Sequence, residues 1–220
     1  MKKTLLFIAL FVVPIMVYLF FASGVNSFVK LPTLTKNVPE ISSAWTTSAN
    51  HNIQLKDKIT VLGFSGDLTR EAKVNIANLC HEIYTKNKKY ADFQVVYVVP
   101  HGNEAEVAEL IKTLSRDADL SSWFFVFADK EDIKEYYNKL QLKGSLNANT
   151  GTPYAYLIDK ELNLRGRKGK NKKGDEEYKE GYYTISPADL HNEMEDDVKV
   201  ILAEYRFALK KNYKIENAAN

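Results

Sequence analysis

The chain has 220 residues, with 30 lysines and arginines against 28 aspartates and glutamates, 45% hydrophobic residues and one cysteine. Usage this close to the globular average excludes wholesale disorder and a collagen-like chain, and the near-balanced charge argues against a nucleic-acid partner. One cysteine permits no intramolecular disulfide, no CxxC redox pair and no multi-cysteine zinc site, and four scattered histidines argue against a His-rich metal site.

Lys2 and Lys3 precede an uncharged apolar run from Leu5 to Phe21, interrupted by Pro14. A signal-peptide core runs to about 7–15 apolar residues, whereas a spanning helix needs roughly 17–25. The run therefore predicts an uncleaved transmembrane signal anchor over residues 1–24. The alternative, a cleaved signal, would use Ala22-Ser23-Gly24-Val25-Asn26-Ser27, which offers only weak small-x-small sites. The two lysines stay inside, so the rest of the chain faces out of the cytoplasm. Residues 25–52 are polar and read as a stalk or lead-in.

Strand and helix then alternate. Ile59–Phe64 is a short apolar strand ending at Ser65-Gly66-Asp67. Ala72, Ile76, Leu79, Cys80 and Ile83 follow at helical spacing. Phe93–Val99 is a β-branched strand, residues 103–115 a helix, Trp123–Phe127 a third strand, and a short helix starts at Asp129. Tyr154–Ile158 predicts a fourth strand, returning through a hairpin toward Tyr182–Ile185. Ser186-Pro187 opens a last helix, with serine at the cap and proline at the first helical position. Its buried stripe is Leu190, Met194, Val198, Ile201, Tyr205 and Leu209. This order predicts an α/β domain over residues 53–212, a mixed sheet flanked by helices, with a tail at 213–220.

That order is also the order of the thioredoxin superfamily, and particular segments resemble its Sco/SenC branch. Lys58–Ser65 resembles the branch's first core strand, Trp123–Phe127 with Glu131-Asp132-Ile133 its third strand and short helix, and Tyr156-Leu157-Ile158-Asp159 its next strand and turn. Thr152-Pro153 resembles the Thr-Pro of thioredoxins, which implies a cis bond at Pro153. The branch consists of membrane-anchored copper chaperones and thiol-disulfide proteins of cytochrome oxidase assembly. It carries a CxxxC pair after the first strand and a histidine before the Tyr-Leu-Ile-Asp-like strand. Laid on this chain without gaps, those positions fall on Asp67, Glu71 and Gly151. Cu(I) favours soft thiolate ligands and dithiol exchange needs two thiols, so no catalytic residue, metal or cofactor is carried over. Restoring Cys at 67 and 71 and His at 151 should raise Cu(I) affinity if the spacing is right.

The remaining polar features have plainer roles. Asp67 or Thr69 caps the helix and Glu71 complements its dipole. Two carboxylates alone fall short of the roughly 6–8 oxygens calcium takes. Cys80 lies on the apolar stripe and reads as a buried thiol. His101 follows a strand end as a loop residue. The stretch Arg165, Arg167, Lys168, Lys170, Lys172 and Lys173 is glycine-rich and basic, either a mobile solvated loop or a contact for an acidic partner or anionic lipid. The expected role is a non-catalytic binding or assembly factor, single-pass in a bacterial cytoplasmic membrane, with an envelope protein as partner. The alternative is a Sco-like chaperone or thiol-disulfide protein with a displaced site.

Overall fold

The computed structural model describes residues 10–17, 30–48, 53–170 and 174–218, with side chains as far as Arg206. Residues 10–17 are helical and exposed. Among the described residues no helix is long and apolar enough to cross a membrane. Most of the Leu5–Phe21 run lies outside them, as do Lys172 and Lys173 and the side chain of Leu209.

The lead-in is not a stalk. It forms β1 (Thr33–Thr35) and β2 (Thr46–Thr47), which pair with the domain rather than with each other. The predicted strands follow as β3 (Ile59–Ser65), β4 (Phe93–Pro100), β5 (Trp123–Ala128) and β6 (Gly151–Ile158). Then come β7 (Leu164–Arg165), β8 (Arg167–Lys170), β9 (Glu176–Lys179) and β10 (Tyr182–Tyr183). The main sheet runs β1-β7-β6-β3-β4-β5-β2, with β10 also on β6. β3, β4 and β5 are parallel, and β6 is antiparallel to β3. The mixed sheet is therefore as expected. The expected return is present, since β10 pairs antiparallel with β6, but it arrives only after β7 has paired with β6 and a separate β8–β9 hairpin has formed.

Central strands buried on both faces read as near-continuous apolar runs, and β4 is buried at every residue. Alternate residues serve two cores. Val61, Val95, Tyr97 and Phe125 meet Ile76 and Leu79 of α1 (Arg70–Leu79) and Val107 and Leu110 of α2 (Glu104–Leu114). Leu62, Phe64, Val96 and Val126 meet Ile133, Tyr136 and Tyr137 of α3 (Lys130–Lys139). Lead-in residues Val38, Ile41, Trp45, Ile53 and Leu55 complete this second face. Trp45 packs on Tyr136 at 5.4 Å, and the Tyr136 hydroxyl donates to the Pro39 carbonyl at 2.8 Å. The lead-in thus supplies the outermost strand at both sheet edges, and strands of 3 and 2 residues leave little backbone for edge-to-edge pairing.

α1 widens into a π turn over Cys80–Tyr84 and ends with Thr85–Asn87. Pro187–Asp189 and a π turn at Leu190–Met194 lead into α4 (Glu195–Ala218). The Asp189 N–H donates to the Ser186 hydroxyl at 3.2 Å, the expected cap. Leu190, Met194, Val198 and Ile201 are fully buried. The helix continues to Ala218, so 213–218 is helical rather than tail.

The basic stretch divides. Arg165 is 5% exposed. It donates to the Leu31 carbonyl and to Glu204, and pairs with Asp159 at 2.8 Å. Burial opposes its charge, but these carboxylates hold its pKa above the ordinary value. Arg167 pairs with Asp197 at 2.8 Å and with Glu177. Tyr182 donates to the same Asp197 from the core. Both arginines are structural, because their counter-charges sit on distant elements that fold back onto them. Among the described residues of the stretch, Lys168 and Lys170, exposed on β8, keep the surface character expected of it.

Candidate functional site

The end of β3 and the start of α1 border a cleft of about 280 Å³. Gly66 makes the turn with φ of +60°, a conformation glycine adopts without penalty. The Thr69 hydroxyl accepts from the Ala72 N–H at 3.2 Å, so Thr69 is the cap. Asp67 instead pairs with Lys130, at the start of α3, at 3.2 Å. Glu71 lies in the first turn of α1. Asp67 and Glu71 both line the cleft, with Ser65, Ala72, Asn75 and Ile76.

The opposite wall comes from the β6 entry. Asn147 accepts from the N–H groups of Asn149 and Gly151, each at 2.9 Å, which fixes the loop. Asn147, Asn149, Thr152 and Pro153 line the cleft. Gly151 itself contributes nothing to the lining. It faces Ser65 across the β3–β6 ladder, and a Cβ there would stand 2.7 Å from the Ser65 carbonyl oxygen. This overturns the spacing that set position 151 as a ligand site: no histidine fits there without moving the backbone. Pro153 follows a trans bond, since no described peptide is cis. Trans is the default for X–Pro, and in β6 the Pro153 carbonyl is taken by the N–H and hydroxyl of Thr184 at 2.9 and 2.8 Å. Asn78 donates to the carbonyls of Thr184 and Ile185, tying this wall to α1.

The floor is Tyr97, which the sequence reading missed. It stands opposite Gly63 in the parallel ladder, and a Cβ on Gly63 would lie 2.4 Å from its ring. A glycine inside a strand of large residues signals such a close approach. Tyr97 is 4% exposed and stacks on Trp123 at 5.8 Å. Its hydroxyl has no hydrogen-bond partner among the described residues, and burial pushes the phenol above its ordinary range.

Cys80 is elsewhere. It is 2% exposed in the first core, and burial pushes its thiol up to about 11, with Lys88 opposing. His81, next in sequence, is exposed. His101 pairs with Glu104 at 3.0 Å outside the cleft. The cleft therefore offers carboxylate, amide and hydroxyl groups. These do not suit the soft Cu(I) that the family resemblance implies.

No family model and no curated protein sequence matches the chain. Solved structures do. A SCO1/SenC family lipoprotein from Bacillus anthracis aligns with TM-score 0.56 and 19% identity, over 79% of this chain and 99% of its own. BsSco, a member of the Sco family of cytochrome c oxidase assembly proteins, aligns with TM-score 0.53 and 13% identity, over 78% and 95%. A thiol:disulfide interchange protein from Chlorobium tepidum aligns with TM-score 0.50 and 17% identity, over 78% and 99%. The chain has the thioredoxin-like fold, and Sco proteins are among its structural neighbours.

Proposed function

We propose that this protein is a non-catalytic binding or assembly factor that uses the cleft between β3, α1 and β6 to hold a partner protein in the bacterial envelope. Its apolar amino terminus keeps it on the outer side of the cytoplasmic membrane as a single-pass protein. One observation carries this reading: the β3–α1 junction keeps an open cleft, while the chain's one cysteine is locked in the core of the same helix region. The scaffold that presents thiols in its structural neighbours here presents Asp67 and Glu71. The resemblance to the membrane-anchored Sco/SenC branch supports the envelope setting, and the length of the Leu5–Phe21 run supports the tether.

The full-length protein in neutral detergent should show no insulin disulfide reduction. It should also lose Cu(I) to a competing chelator of moderate strength. Stoichiometric retention of Cu(I) against that competitor would overturn the reading in favour of a chaperone with a displaced site. Mass spectrometry of the mature amino terminus tests the tether: a start between residues 23 and 28 would make the protein a released one.

A further inference from the structure

The cleft has a charge, a floor and a rim that together select a ligand. The charged side chains lining it are Asp67 and Glu71, and among the described residues no lysine, arginine or histidine lines it. Asp67 is offset by Lys130. Glu71 makes no hydrogen bond or ion pair among the described residues and is exposed. The amino end of α1 attracts anions by itself, but Thr69 already caps it and the two carboxylates there repel them. At the floor Tyr97 is only 4% exposed, and its hydroxyl, which makes no hydrogen bond among the described residues, is left free on the cleft side. Among the amides and hydroxyls of the walls, Ala72, Ile76 and Pro153 supply apolar surface. Ile185, in the lining, is 48% exposed, and Tyr154, next in sequence to the lining residue Pro153, is 44% exposed with its ring 5.5 Å from that of Tyr183.

We propose that this cleft takes a basic side chain, lysine or arginine, presented by a polypeptide partner. The aliphatic stem lies along Ala72, Ile76 and Pro153, Glu71 pairs with the cationic head, and the Tyr97 oxygen accepts one of its N–H bonds. The exposed apolar side chains of Ile185 and Tyr154 receive the residues flanking that side chain, which is why the ligand is a polypeptide rather than a free amine. This inference rests on the binding-factor reading and names the chemistry of its partner.

The test uses full-length protein in neutral detergent with ring-labelled tyrosine, the Tyr97 signal being assigned by Tyr97→Phe. Three probes are titrated: acetyl-Gly-Lys-Gly-amide, the same peptide with norleucine in place of lysine, and n-butylamine. The lysine peptide should shift the Tyr97 signal and saturate. The norleucine peptide and Glu71→Gln should each weaken binding by about tenfold, the scale of one charge-assisted hydrogen bond. Glu71→Gln should leave the melting temperature and the other tyrosine signals unchanged, since Glu71 is exposed. Equal binding of the two peptides, unchanged affinity in Glu71→Gln, or a Tyr97 signal that never moves would overturn the proposal. Butylamine binding as tightly as the lysine peptide would overturn its polypeptide part. Retention of Cu(I) removes the parent reading whatever the peptides do, and a failed peptide titration leaves that reading standing.

Discussion

The two ends of α1 are built for opposite purposes. Its amino end is wet: Thr69, Glu71 and Asn75 border the cleft, and the backbone of Gly66 is pressed against the β6 entry. Its carboxyl end is dry: Leu79, Cys80 and Ile83 are sealed in the first core, where the helix widens into the π turn. A thiol needs access and a cationic or dipolar neighbour to react. The chain's one thiol is at the end that offers only burial. Position along one helix therefore decides between chemistry and packing, and composition does not.

Four substitutions test that contrast. At the dry end Leu79→Ala should cost about 3 kcal/mol, the scale for emptying a fully buried leucine site, read as a fall in denaturant midpoint. At the wet end Gly151→Ala should cost about 2 kcal/mol. Its methyl group meets backbone rather than a yielding side chain, and the cost should come with altered cleft signals in NMR spectra. A neutral Gly151→Ala would show that the junction is looser than the close contact implies.

Cys80→Ala should cost about 1 kcal/mol and leave binding intact, because the sulfur's contribution is packing. Native Cys80 should react with thiol reagents far more slowly than the unfolded chain does. Its pH dependence has a definite sign. The folded thiol is held near 11 by burial, against an ordinary 9.0, so between those values the unfolded chain has lost a proton that the folded chain keeps. Stability falls as pH rises through that window, and Cys80→Ala should show a shallower alkaline loss than the parent in parallel melts. The smallest effect is Glu71→Gln, within about 0.5 kcal/mol of stability. A larger loss would mean that Glu71 serves the fold rather than the cleft.

What could be read from the residues follows the range of the forces involved. β3, β4 and β5 were legible because burial on both faces writes itself into consecutive residues. The Ser186-Pro187 start was legible, and the cap of α1 was narrowed to Asp67 or Thr69, because capping is local. β1 and β2 were not: Thr33-Leu34-Thr35 and Thr46-Thr47 become strands only through partners at Leu164–Arg165 and Val126–Phe127. Arg165 looked like a loop cation because two of the groups that bury it, the Leu31 carbonyl and Glu204, are 134 and 39 residues away, although its other partner, Asp159, is only 6 away. In the cleft, Asp67 and Glu71 were found through the family resemblance, as the positions on which its CxxxC pair falls after β3. Position 151 was misjudged, because a gap-free count says nothing about which backbones touch. Tyr97 left one trace, the glycine at 63 that makes room for its ring.

The lead-in has a consequence for the order of events during synthesis. Leu31 and Thr33 leave the ribosome early, yet their partner Arg165 lies more than 130 residues later in the chain. Until β7 exists, β1 has no edge to join, and Val38, Ile41 and Trp45 have no finished face to cover. Contacts of such long sequence separation form slowly, and the apolar surface awaiting them is prone to stick to other chains. The β1 part of this early segment therefore cannot dock until most of the domain has been made, whereas β2 can join β5 sooner. A chaperone at the site of emergence would find its target in residues 31–55, and a truncated chain ending before Leu164 would hold that target open.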